Sequence, residues 1–385
     1  MRILILGSGR MAVGSALDLE KDKSVEKITL LDIDQRSLNR ARKRARTEKT
    51  ETVKADVKAA SSVALMKQYD AAIGALPHHA SVPALRNAIR AGLSVVDMVF
   101  EPEQLDLDED AREAQVTVIP GFGVHPGLAN VFAGDAYSKL DRAESIVVRC
   151  GGLPLDPRSP LNHRTAFNLQ SAVGEYIKHA EIIEEGKLKI TGPMGEVERI
   201  RHPKLGEIEC FVTGTGATLT RSLTGLREFR SKTVRWPGNV ERMQLLAECG
   251  LLNEEGMDID GVKTTSKEVL LSILGPVMIL GEGEKELTYL GVEAEGFKGD
   301  ALTRYRYELL DYYDEKEQLT SMQRTTGFPA AIAARMIVEG QIAEKGVVPP
   351  EKMFLADRFD HLMTELSKRR ISISIEETSI KKRTL

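Results

Sequence analysis

The feature that most constrains this 385-residue chain is its beginning, where an apolar run Ile3-Leu4-Ile5-Leu6 meets Gly7-Ser8-Gly9-Arg10-Met11-Ala12 and then an Ala12/Ala16/Leu19 face at helical spacing. G-x-G-x-x-A set between a strand and a helix has a specific physical use. The glycines allow a tight turn and let the backbone approach a pyrophosphate, the helix N-terminus presents N–H groups to that charge, and Ala12 permits close contact between helix and strand. The next apolar run, Ile28-Thr29-Leu30-Leu31, ends in Asp32. A carboxylate there accepts hydrogen bonds from an adenosine ribose and repels a 2'-phosphate, so the pattern predicts NAD, with NADP less favoured and Arg36 as the nearby cation that would serve it.

Residues 2 to 119 continue to alternate apolar runs with helical patterns: Ala71 to Leu76 before a Val82/Leu85/Ile89 face, Ser94 to Met98 before a helical stretch at 108 to 114, then Val116 to Ile119. This is the signature of βαβ units and a parallel sheet. Two further strand ends fall beside the expected dinucleotide, at Asp56-Val57 and at Ala75-Leu76-Pro77-His78. The expected cofactor residues are therefore Gly7, Gly9, Arg10, Met11, Asp32, Asp56, Val57, Ala75, Leu76 and Pro77.

After residue 140 strand-like segments such as IVVRC, FVTG, KTVRW, YLGVEAEG and TRYRYELLDYY are divided by Gly/Pro turns, which predicts an α+β region on a mostly antiparallel sheet. The expected fold class is α/β, a Rossmann dinucleotide-binding domain with an inserted α+β domain. The expected divisions are 1–125 for the first, 126–318 for the second, and a helical segment 319–385 packing back on the first, with Phe328, Ile332 and Met336 on one face.

The formal net charge of −4 offers no broad basic surface, so neither nucleic acid nor an acidic membrane is an expected partner. Cys150, Cys210 and Cys249 lie far apart without metal or disulfide spacing, and the first apolar run is too short for a signal or a span, so we expect a cytoplasmic protein with buried thiols and no metal. The acidic pairs Glu282/Glu284 and Asp314/Glu315 lack ligand spacing and read as solvated loops.

GGLPLDPRSPL (151–161), EYIKHAEII (175–183), LREFRSKTVRWPGNVERMQLLAECG (226–250) and LTSMQRTTGFPAAIAARM (319–336) resemble the saccharopine dehydrogenase-like group, and most closely its lysine 6-dehydrogenases. The resemblance implies an NAD(P)-dependent enzyme acting on a C–N bond of an amino acid, working as a homodimer through the inserted domain. Saccharopine formation with NADPH, or dinucleotide binding without catalysis, are the other readings. The chain departs from the group in its second half. His125 stands where lysine 6-dehydrogenases have alanine and saccharopine-forming relatives aspartate, Gly214-Thr215-Gly216-Ala217 replaces Asp-Gly-Leu-Arg, and Tyr176 to Glu181 replaces Tyr-Thr-Arg-Pro-Ala-Arg.

Oxidising an amine requires a neutral nitrogen, hence a base whose pKa lies near the working pH. Ligands of open parallel sheets sit beyond the carboxyl ends of the strands, so the candidates are His78 with His79, Asp97, and His125 in the glycine-rich PGFGVHPGLAN connection. Asp97 and His125 are the preferred pair. For the substrate, Arg221, Arg324 and Lys178 are the candidates to hold a carboxylate, with Arg164 behind them and Asn130 offering an amide; Arg324 ranks first because Thr325-Thr326-Gly327 after it resembles a helix start.

Overall fold

A computed structural model describes residues 1–216, 218–281 and 283–381. In the first half β1 (Arg2–Leu6), α1 (Arg10–Leu19), β2 (Lys27–Asp32), α2 (Gln35–Arg44), β3 (Thr50–Lys54), α3 (Ser62–Met66), β4 (Ala71–Gly74), α4 (His78–Arg90), β5 (Val95–Asp97), α5 (Asp108–Glu113) and β6 (Thr117–Ile119) alternate. The strands pair in parallel in the order β3-β2-β1-β4-β5-β6, as the sequence alternation predicts. Their apolar runs are buried on both faces, Ile3, Leu4 and Ile5 at 0% exposure, which a parallel sheet covered by helices requires. The order reverses between β1 and β4, and at such a switch point the loops splay apart to leave a crevice.

Helix α6 (Leu128–Ser138) leads into the second half, which contains β7 (Arg142–Pro154), α7 (Leu169–Gly174), β8 (Ala180–Glu184), β9 (Lys187–Thr191), β10 (Glu198–His202), β11 (Gly206–Val212), α8 (Leu219–Ser222) and β12 (Glu228–Arg235). It continues through α9 (Asn239–Glu248), the hairpin β13 (Gly256–Ile259) and β14 (Val262–Thr265), α10 (Ser266–Met278), β15 (Glu286–Lys298) and β16 (Ala301–Tyr312). The second sheet is mostly antiparallel, with one parallel pairing between β12 and β7 that puts the ends of these two strands side by side.

The C-terminal part is α11 (Ser321–Val338), β17 (Gly346–Val347), α12 (Pro350–Met353), α13 (Asp357–Lys368) and β18 (Ile373–Ile380). Helix α11 lies on α1, and Gly327 is what allows it: a Cβ there would sit 2.7 Å from the amide nitrogen of Ser15, whose hydroxyl donates to the Gly327 carbonyl at 2.8 Å. Strand β17 extends the parallel sheet beside β6. The expectation that 319–385 is helical and returns to the first half is too simple, because β18 pairs with β16 at the edge of the second sheet. Its sequence ISIEETSI is exposed on both faces and gives no apolar alternation to read. Among the described residues no helix is long and apolar enough to cross a membrane.

Candidate functional site

Between the halves lies a cleft of about 920 Å³. Its first wall is the glycine turn. Gly7 has φ +104°, and a Cβ there would lie 2.4 Å from the carbonyl oxygen of Ala75, so only glycine lets the ends of β1 and β4 meet. Nothing lies within 4 Å of a Cβ built on Gly9, and no side chain caps the first turn of α1. These open N–H groups, with space in front of them, fit a dinucleotide pyrophosphate. At the end of β2, Asp32 is fixed from both sides: Oδ2 accepts from the amide and hydroxyl of Ser8 (2.9 and 2.8 Å) and Oδ1 from the amide of Asp34 (2.9 Å). All ten residues expected at a cofactor, Gly7, Gly9, Arg10, Met11, Asp32, Asp56, Val57, Ala75, Leu76 and Pro77, line this cleft.

The expected acid/base residues separate. His125 and His78 line the cleft; Asp97 does not. Asp97 is 2% exposed and bonded into the wall, its Oδ1 accepting from the Val99 amide (3.0 Å) and its Oδ2 from Ser81 Oγ (2.6 Å) and Gln104 Nε2 (3.0 Å). Burial pushes its carboxyl up to about 6, although every hydrogen bond it makes favours the charged form. The signal that pointed to Asp97, a carboxylate at a strand end, is the signal of a loop-fixing residue too. His78, at the start of α4, pairs through Nδ1 with Glu101 at the rim.

His125 is half-buried, and its Nε2 lies 2.8 Å from both Ser231 Oγ and Thr215 Oγ1, while Nδ1 is buried and without a partner. Burial alone holds its pKa down, to about 4, so the ring is neutral at neutral pH.

Of the expected substrate residues only Lys178 lines the cleft. Arg221 is exposed on α8 and pairs with Glu181 at 2.8 Å. Asn130 is buried and works as a cap of α6, accepting from the Gly127 amide (3.1 Å) and donating to Glu351 Oε2 (3.1 Å) and Thr218 Oγ1 (3.2 Å). Arg324 is 4% exposed inside α11 and is consumed by Asp311 (2.9 and 3.0 Å) and Asp314 (2.7 Å). It was placed at a helix start because Thr325 and Thr326 resemble caps, whereas the cap is Thr320, whose hydroxyl accepts from the Gln323 amide at 3.2 Å. Arg164 ties Glu284 at 2.7 Å, which takes that acidic residue out of any ligand set; Glu282 lies outside the described residues.

The polar pair that does face the second half of the cleft is Glu175 with Arg235. Arg235 is 2% exposed and fully engaged, its Nη2 donating to Glu175 Oε2 (2.7 Å), its Nε to Tyr176 Oη (2.7 Å) and its Nη1 to the Val234 carbonyl (2.9 Å). Thr233 Oγ1 donates to the same Glu175 oxygen at 3.1 Å. Ser231, Thr233 and Arg235 are alternate residues of β12, so one face of that strand supplies all three. The strand period in KTVRW held this information, but the face toward a cleft is set by the parallel pairing with β7, which no local pattern shows. Cys150, the β7 neighbour of Thr233, also lines the cleft, and burial pushes its thiol far up, which removes it as a proton donor or acceptor at neutral pH. Cys210 is buried as expected, while Cys249 is exposed on the surface.

A glycine turn opening on a cleft, a carboxylate fixed at the end of β2 and a second, polar half define a nicotinamide-dinucleotide oxidoreductase architecture. The saccharopine dehydrogenase NADP-binding domain matches residues 3–119, and the saccharopine dehydrogenase C-terminal domain matches residues 123–371. The chain belongs to the saccharopine dehydrogenase family. It is 21% identical over 98% of its length to the Saccharomyces cerevisiae saccharopine dehydrogenase (NADP+, L-glutamate-forming), covering 99% of that protein. It is 23% identical to a carboxyaminopropylagmatine dehydrogenase of Synechocystis sp., over 63% of this chain and 62% of that one. The apo structure of the yeast enzyme superposes with a TM-score of 0.81 at 18% identity, covering 98% of this chain and 99% of that one. A homospermidine synthase from Legionella pneumophila in complex with NAD follows at 0.65 and 15%, over 98% and 91% of the two chains.

Proposed function

We propose that the chain is an NAD-dependent dehydrogenase acting on a C–N bond of an amino acid, of the lysine 6-dehydrogenase type. The observation that supports this most directly is one continuous cleft with Asp32 at one end, Glu175 and Arg235 at the other, and His125 lining it with a neutral ring. The first turn of α1 holds the pyrophosphate and Asp32 holds the adenosine ribose. The bound nicotinamide supplies the acceptor for a hydride from the carbon that bears the amine. His125 takes the amine proton, Lys178 draws the substrate carboxylate to the rim, and the apolar wall of Ala166, Phe167 and Met322 excludes water from the reacting carbon.

Purified protein incubated with NAD and a panel of lysine, ornithine, saccharopine and carboxyspermidine-type amines is expected to raise absorbance at 340 nm between pH 7 and 10. Silence across the panel sinks the proposal. The saccharopine-type reaction with NADPH, acting on lysine and a 2-oxo acid, is the second reading, favoured by the NADP named in both the family domain and the yeast relative. A strong preference for NADPH in the same assay decides for it and against the role given to Asp32.

A further inference from the structure

Four hydrogen bonds run without a gap from His125 to Glu175, two residues that both line the cleft. Nε2 of His125 is 2.8 Å from Thr215 Oγ1, which is 2.9 Å from Thr213 Oγ1, which is 3.1 Å from Thr233 Oγ1, which donates to Glu175 Oε2 at 3.1 Å. Two of these threonines are at 0% and 3% exposure, Thr213 and Thr233, so the path runs inside the protein, and it ends at a carboxylate that lines the cleft and is 18% exposed. The residues come from four separate parts of the fold: the loop before α6, the turn after β11, the end of β12 and, for Glu175, the C-terminal end of α7.

We propose that Thr215, Thr213 and Thr233 form a proton relay that carries the amine proton from His125 to Glu175. This rests on His125 acting as the base in the reaction proposed above. The direction of the relay is built into its end. A carboxylate held by the Arg235 guanidinium only accepts hydrogen bonds, so Thr233 must donate to it; the Thr233 oxygen is then left to accept from Thr213, Thr213 from Thr215, and Thr215 from the ring. Nε2 therefore carries the resting proton and Nδ1, the nitrogen without a partner, keeps the lone pair. Nδ1 is buried, so the transfer requires the bound amine to displace what covers it; the step then breaks an N–H bond of the substrate ammonium and forms Nδ1–H. Nε2 then passes its proton to Thr215 Oγ1, each hydroxyl passes its own proton onward, and Oε2 of Glu175 receives the last one. Each hydroxyl regains a proton as it loses one, the imidazole ends neutral, and no group is oxidised or reduced.

A ring in this setting needs such an outlet, because burial makes the imidazolium expensive to hold. Ser231 does not provide one: its hydroxyl touches only Nε2 and Thr215 Oγ1 and leads no further. Glu175, bonded by Arg235 and Thr233 and open to the cleft, stands where the proton reaches water.

The test compares Thr213→Val, which keeps the shape and removes the hydroxyl, with Thr213→Ser, which keeps the hydroxyl, and with His125→Gln. With the amine that the wild type oxidises, Thr213→Val is expected to lose kcat on the order of 100-fold, the scale of a proton-transfer group, with KM little changed. Its dependence on the deuterium content of the solvent is expected to change from curved, reporting several protons in flight, to linear, and Thr213→Ser restores both. Wild-type kcat and curvature in Thr213→Val beside an inactive His125→Gln overturn the relay alone. Full activity in His125→Gln overturns the base assignment and the relay with it. A measurement independent of turnover is the ¹⁵N spectrum of ring-labelled histidine, with the His125 signal identified by its loss in His125→Gln. The Nε2–H tautomer is expected in wild type, weakened in Thr213→Val, and a dominant Nδ1–H tautomer overturns the proposal.

Discussion

Arg10 Nη2 donates to the carbonyl of Leu280 at 2.8 Å, joining the first turn of the glycine motif to a residue 270 positions later. Leu280 is held in turn by its amide on the Thr165 carbonyl (2.9 Å), and Ala166 and Phe167 beyond it form part of the cleft wall. The guanidinium that flanks the expected pyrophosphate thus also holds the far wall in place. Arg10→Ala is expected to weaken dinucleotide binding by roughly tenfold, the scale of one hydrogen bond to a charged group. Hydrogen exchange at the amides of 279–281 should also accelerate, which mass spectrometry reads directly; unchanged exchange there removes the tie.

Asp32→Ala takes away the carboxylate that Ser8 and Asp34 hold in place at the end of β2. NAD affinity is expected to fall by about 1.5 to 3 kcal/mol, the worth of hydrogen bonds to a charged acceptor, and NADP affinity to rise. Fluorescence titration with NADH and NADPH checks both signs.

Arg324→Ala separates a structural guanidinium from a substrate anchor. It leaves Asp311 and Asp314 facing each other without their cation, so stability is expected to fall by about 3 to 5 kcal/mol while the KM of the residual folded enzyme is unchanged. Thermal unfolding and steady-state kinetics on the same preparation test the two halves; a raised KM at wild-type stability would restore Arg324 to the substrate.

Glu286 makes the stability of the fold depend on pH. It is 1% exposed at the start of β15, accepts from the Met322 amide at 2.8 Å, and burial pushes its carboxyl up to about 8. A carboxyl raised above its unfolded value is protonated more readily when folded, so its destabilising effect is absent at low pH and grows as pH rises toward 8. Wild-type stability is expected to fall with a slope of up to about 1.4 kcal/mol per pH unit between pH 6 and 8, one proton's worth, and Glu286→Gln to flatten that slope. Denaturant unfolding at pH 6, 7 and 8 measures it.

The pH dependence of kcat/KM reports the free enzyme, and His125 at about 4 is already neutral across the usual assay range. No inflection near the ordinary histidine value of about 6.5 is expected from this residue. An acid limb near 6.5 that disappears in His125→Gln would contradict the burial of the ring.

The cofactor half was legible because its chemistry is local. One strand, two glycines and the acid 25 residues after the first define a wall, and all ten expected residues line it. The substrate half was not. Glu175 and Arg235 are 60 positions apart and meet only because the fold brings the end of α7 to the end of β12, while Arg221 and Arg324, attractive as cations, have carboxylate partners 40 and 13 positions away. A residue type names what a group does; only the fold says what it faces. His125 was recognisable as an anomaly in PGFGVHPGLAN, but its hydroxyl partners lie 90 and 106 positions further on.

The seating of α11 on α1 also governs how this chain must be made. The buried face of α1, Ala12 to Leu19, belongs to the same core as Phe328, Ala331 and Ile332, and the last strand of the parallel sheet is Gly346–Val347. As the polypeptide leaves the ribosome, its dinucleotide half stays unfinished until Val347 has been synthesised, with an apolar helix face waiting for its cover. A fragment ending near residue 125 would keep that face open to water, so the half of the molecule most easily recognised in the sequence is not self-sufficient as a folding unit.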